Sequence, residues 1–141
     1  MKIEKEHWRK DIHRAKRYSW VLKGAYEFFG TNLLAKNDKG SNYRGGEYVK
    51  ARKMAMAFLM EYDESLTLKQ IGLIFGGKDH STVIHHRDAH LGTMSLSHIA
   101  AYAPYKEEYD RFVKFMYAFS PQEDKEPLFS PNRLAGYTWW M

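Results

Sequence analysis

Between His7 and Phe29, the residues Trp8, Ile12, Ala15, Ser19, Leu22, Tyr26 and Phe29 recur at spacings of three and four, with Arg9, Lys10, Arg14, Lys16 and Arg17 around them. That period is one face of an α-helix, and it predicts a single long helix with a basic surround. Gly24 lies inside the pattern, where it costs about 1 kcal/mol relative to alanine, so a bend or a close helix contact is expected there. Gly30-Thr31-Asn32 interrupts the pattern before Leu33 and Leu34, and Asn37 to Gly46 is rich in turn-forming residues, which makes it the clearest boundary in the chain. A second helix is predicted from Glu47 to about Tyr62, with Val49, Met56, Leu59 and the neighbouring alanines for packing and the methionines as core filler. Beyond Gly92 the pattern predicts a short helix near Ser95 to Tyr102. A longer one then runs from Ala103-Pro104 to about Phe119, with Tyr105, Tyr109, Phe112, Met116 and Phe119 on one face, and Pro104 suits its first turn. Ser120 to Pro127 reads as an acidic linker. Leu128 to Met141 contains Tyr137, Trp139 and Trp140, an aromatic surface that either docks on the core or binds a protein partner.

The segment between these helices is marked by local chemistry rather than by periodicity. Thr67 and Gln70 have capping-box spacing, and Leu66 and Ile71 hold the two positions of a hydrophobic staple, so a short helix is predicted from about Leu68 to Phe75. Gly76-Gly77 can take the positive φ that ends one helix and turns the chain toward the next. Asp79 can then cap a following helix by accepting from the amide of Ser81 or Thr82, leaving His80, Ser81 and Thr82 in an exposed first turn. Two capped helices on either side of a glycine turn make a helix-turn-helix, in which the N-terminal residues of the second helix meet base edges in the major groove.

The run Leu68-Lys69-Gln70-Ile71-Gly72 followed by Phe75-Gly76-Gly77-Lys78-Asp79-His80-Ser81-Thr82-Val83-Ile84-His85 resembles the C-terminal DNA-binding domain of the bacterial replication initiator DnaA. The resemblance reaches back through Arg52-Lys53-Met54-Ala55-Met56-Ala57 to Arg44 and fades after Leu91, about a third of the chain. It implies an all-α fold of the helix-turn-helix type, with extra N- and C-terminal helices. It also implies that Asp79, His80, Ser81 and Thr82 face bases or backbone in the major groove and that Arg44 enters the adjacent minor groove. The sequence departs from the family at Lys78, where an arginine is usual and a point charge replaces a planar fork, and at His86 and Arg87, where small or apolar residues are usual. Three regions are expected: a basic amphipathic helical region at 1–36, the DnaA-like helix-turn-helix at 41–92, and C-terminal helices with an aromatic tail at 93–141.

Composition fits that reading. The chain has 141 residues, 44% hydrophobic and 16% aromatic, enough for one domain with a core of its own. Its +5 charge is uneven: residues 1–53 hold 14 basic and 6 acidic side chains, while 54–141 hold 8 and 11, so the N-terminal part carries +8 and the rest −3. A basic N-terminal half suits a polyanion, or else is a solvated helix face. With no cysteine there are no disulfides and no thiolate metal sites. No stretch has the apolar length of a membrane span and the charged N-terminus lacks a signal-peptide core, so no membrane partner is expected and the expected location is cytoplasmic, in association with the nucleoid.

The DNA contacts divide by chemistry. Phosphate binding is expected from Lys50, Arg52, Lys53, Lys69 and Lys78 and from the amides after Thr67, and base reading from Asp79, His80, Ser81 and Thr82 with Arg44 in the minor groove. Seven histidines raise a metal hypothesis, since His86 and His90 lie one turn apart with Asp88 nearby; no third ligand is fixed, and the same residues fit the exposed face of a DNA-reading helix. No metal and no cofactor are expected. There is no Gly-x-x-x-x-Gly-Lys-Ser/Thr phosphate loop. By the resemblance, full-length initiators carry an ATPase module ahead of this domain, and its absence from this chain implies a non-enzymatic, stand-alone binder of duplex DNA at a DnaA-box-like site that regulates replication initiation or transcription. The other readings are a helical interaction or scaffolding protein that uses its aromatic tail, and a histidine-dependent metalloenzyme.

Overall fold

The computed structural model describes residues 10–34 and 46–121, and every regular element among them is helical. The elements are α1 (10–16), α2 (Ser19–Phe29), α3 (Gly46–Tyr62), α4 (Leu68–Ile74), α5 (His80–Ser95) and α6 (Ala103–Phe119). Arg44, Trp8, most of the predicted loop before Gly46 and the aromatic tail lie outside the described residues.

At the centre is α3. Ala51, Met54, Ala55, Met56, Ala57, Phe58 and Leu59 are all buried, so this helix is apolar on almost every side, as a helix enclosed by others must be. It is enclosed by α2, α5 and α6. The aromatic stripes of the flanking helices meet over it: the Phe112 ring lies 5.3 Å from Phe28, 4.8 Å from Phe29 and 6.0 Å from Phe58, and Trp20 lies 6.1 Å from Phe58. Residues outside the helix-turn-helix therefore complete the core beneath it.

The long N-terminal helix is interrupted. Arg17 and Tyr18 donate to Arg14 O and Ala15 O in tightened turns, 3.1 and 3.0 Å, and α2 starts afresh at Ser19. The interruption shifts the helical phase. The buried residues of α2 are Trp20, Val21, Gly24 and Ala25, whereas Tyr26, expected on the core face, is 54% exposed. The break also places the Tyr18 ring against Tyr62, at 6.3 Å, with its hydroxyl donating to Asp63. Gly24 shows the close contact rather than the bend: a Cβ there would sit 2.6 Å from Met116 Sδ.

After Gly92 the chain also departs from expectation. No helix forms between Ser95 and Tyr102; α5 runs on to Ser95, and residues 96–102 form successive turns closed by bonds such as Ile99 N to Leu96 O (2.9 Å) and Tyr102 N to Ile99 O (2.9 Å). Pro104 then opens α6.

Candidate nucleic-acid interface

The corner between α4 and α5 is built from the residues that predicted it. Thr67 Oγ1 accepts from Gln70 N (3.1 Å) while Gln70 Oε1 accepts from Thr67 N (3.0 Å), a complete capping box. Leu66 and Ile71 are both buried beside it. At the other end, Gly76 and Gly77 take φ of 87° and 84°, and Gly72 O accepts from Gly77 N (2.9 Å) and Lys78 N (2.8 Å). Gly72 itself is buried: a Cβ there would lie 2.1 Å from Lys78 O, so only glycine lets α4 come this close to the entry of α5.

Asp79 caps α5, its Oδ2 accepting from Ser81 N at 3.0 Å and from the Ser81 hydroxyl. Those bonds, the hydroxyl's foremost, hold its carboxyl below the usual carboxylate range. The side chains of Asp79 and His80 are 64% and 66% exposed, with His80 Nδ1 3.7 Å from Asp79 Oδ1; Ser81 is exposed and Thr82 half-buried. Four groups able to accept or donate to a base edge thus crowd the open end of one helix, behind a turn closed by two bonds to Gly72 O.

The expected phosphate cations are placed less uniformly. Lys78 is half-buried on the turn next to the capped end of α5. Lys69, 61% exposed at its side chain, pairs with Asp11 Oδ2 at 3.4 Å. Lys50 pairs with Glu108 of α6 at 2.8 Å, and Lys53 Nζ sits 5.0 Å above the Tyr105 ring, where burial lowers its pKa. Arg52 departs from the surface position expected of it: it is 5% exposed, inside the packing of α3. Arg44 is outside the described residues.

His86 and His90 are a second correction. They were expected on an exposed face, but they continue the stripe that begins at buried Val83, three and seven residues on, and are 8% and 4% exposed. That spacing was readable in the sequence. His90 Nδ1 lies 2.8 Å from Tyr105 OH, its ring 4.5 Å from Tyr109, and Tyr109 OH donates to Glu61 Oε2 at 2.9 Å. Burial lowers both imidazoles to about 4; Arg52, His85, Lys53 and Lys78 add to the effect on His86, and Lys53 to that on His90. No group of three or more histidine or acidic residues arranged to hold a metal occurs among the described residues.

A pH dependence follows. Both histidines are neutral in the fold, and the unfolded chain takes up protons near the ordinary value of 6.5. Stability is full above 6.5 and falls as pH drops from there toward about 4. Urea midpoints across that range should decline, less steeply in His90→Phe; the same slope in both proteins would contradict the assignment of the histidines.

No helix of the described residues is long and apolar enough to cross a membrane. Residues 34–89 match the family described as the bacterial dnaA protein helix-turn-helix. The curated chromosomal replication initiator proteins DnaA of Wolbachia sp. subsp. Brugia malayi (strain TRS) and of Wolbachia pipientis wMel are 37% and 36% identical over 73 residues, 52% of this chain and 15% of each relative. The matched stretch thus spans about a seventh of their length. No solved structure matches the chain. The matched residues hold α3, α4 and the larger part of α5, with the capped corner between them.

Proposed function

We propose that this chain binds double-stranded DNA sequence-specifically at a DnaA-box-like site and thereby regulates replication initiation or transcription, acting in the cytoplasm at the nucleoid and without catalysis. The observation that carries the reading is the open first turn of α5, where Asp79, His80 and Ser81 stand exposed beside Thr82 behind a turn with two positive-φ glycines. An α-helix enters the major groove, and these side chains supply the donors and acceptors that distinguish base pairs there. Arg44, ahead of α3, supplies the minor-groove contact. Lys50, Lys53, Lys69 and Lys78 supply phosphate contacts, Lys50 by exchanging its carboxylate partner Glu108 for a phosphate.

His80→Ala and Thr82→Ala should each weaken binding to the preferred duplex by about 1 to 3 kcal/mol more than binding to random duplex. Titration of labelled duplexes at fixed salt measures this difference, and equal losses on both duplexes would rule out direct reading by α5. A helical interaction protein remains the second reading, favoured by Leu91, Leu96, Ile99 and Tyr102, which are 57%, 39%, 42% and 40% exposed around the far end of α5. Under that reading neither alanine variant alters selectivity, because there is none.

A further inference from the structure

Helix α1 lies outside the stretch that matches the family, yet it is fastened to the helix-turn-helix at two points. Asp11 Oδ1 accepts from Gln70 Nε2 at 3.0 Å and its Oδ2 pairs with Lys69 at 3.4 Å, tying α1 to the first turn of α4. One turn on, Arg14 Nη2 donates to Asp63 Oδ2 at 2.9 Å and to the Ser65 hydroxyl, tying it to the corner that leads into α4. Asp63 also accepts from Tyr18 OH. Burial pushes its carboxyl up, but the bonds from Ser65, Tyr18 and Arg14 together outweigh that and hold it at about 2, so the clamp keeps its charge.

These clamps consume Asp11 and Asp63 and leave other cations of α1 outward. Lys10, His13 and Arg17 recur at spacings of three and four beside Arg14, and all three are exposed. Neither Lys10 nor Arg17 has an ion-pair partner among the described residues. Glu64 is exposed on the same corner and opposes them, but Lys10 and Arg17 outnumber it. In helix-turn-helix docking the first helix of the motif crosses the sugar-phosphate backbone while the second enters the groove. A basic stripe tied to the first turn of α4 is therefore within reach of a backbone that α4 crosses.

We propose that α1 is a second phosphate-contacting element, in which Lys10 and Arg17 hold the duplex backbone flanking the site read by α5. This rests on the duplex-DNA reading given above. Contacts of this kind add affinity and position the protein without reading sequence, and each phosphate neutralised contributes about 0.9 to the slope of log affinity against log salt.

The test uses the full chain and the double variant Lys10→Gln/Arg17→Gln. Binding is measured over a salt series on the preferred duplex, both with long flanks and trimmed to the core site. The expected result is a salt slope lower by roughly 1.8 on the long duplex, unchanged preference for the site over random DNA, and a loss of the affinity that wild type gains from the added flank. Both side chains are exposed, so the melting temperature should not move. Lys114→Gln, which removes an exposed cation of α6, should leave the slope unchanged, and an equal drop there would reduce the effect to net charge and overturn the assignment. Selective binding by the double variant with the wild-type slope would overturn the role of α1 and leave the duplex-DNA reading standing. Unselective or absent binding by wild type would overturn both.

Discussion

Gly72→Ala should destabilise the protein by about 1 to 3 kcal/mol and remove site-selective DNA binding. A lone glycine in a helix usually costs about 1 kcal/mol relative to alanine, so the local propensity favours the substitution. Packing reverses the sign. The new Cβ would stand 2.1 Å from Lys78 O and 3.1 Å from Lys78 C, which are backbone atoms and cannot swing aside as a side chain would. Overpacking of this kind typically costs about 1 to 3 kcal/mol, occasionally more, and relief requires α4 and the entry of α5 to separate. Separation breaks the bonds from Gly77 N and Lys78 N to Gly72 O, so the end of α5 that carries His80 and Ser81 loses its orientation. Gly92→Ala is the internal control: nothing lies within 4 Å of the added methyl, and a gain of roughly 0.5 to 1 kcal/mol is expected. Thermal melts of the two variants with duplex titrations decide the matter. Equal melting temperatures would show that the close approach at Gly72 is not a constraint.

Phe112→Ala should cost about 3 to 5 kcal/mol, the range for removing a buried aromatic ring, and the loss should reach the helix-turn-helix. Phe112 is fully buried between Phe28 and Phe29 of α2 and Phe58 of α3, so the cavity would open at the junction of three helices. Small domains are stable by only about 5 to 15 kcal/mol, and a loss of this size is a large part of the total. Denaturant midpoints give the magnitude, and amide exchange gives its reach. Protection should fall together in α3, α5 and α6. Weakened protection confined to α6 would mean that the C-terminal helix is an appendage rather than part of the core.

The helix-turn-helix was legible because its determinants are local. A capping box, two glycines and an aspartate cap act within a few residues of one another, and each is found where its spacing placed it. What was not legible depends on distant partners. The phase of α2 slips at Arg17-Tyr18, where Tyr18 meets Tyr62 and Asp63, residues 44 and 45 positions away. The place of Lys50 and Lys53 is set by Glu108 and Tyr105 of a helix that shares no local pattern with α3. Arginine is usually a surface cation, and it is the enclosure of α3 that places Arg52 inside. His86 and His90 are different, since extending the helical stripe from Val83 would have placed them inside without any structure.

Whether this fold reads a base sequence is decided by selecting bound sequences from a pool of random duplex DNA. The expected result is enrichment of a single short motif, related to the initiator's box, that is recovered by wild type and blurred at particular positions by His80→Ala or Thr82→Ala. Enrichment without a motif, or identical motifs from all three proteins, would contradict it.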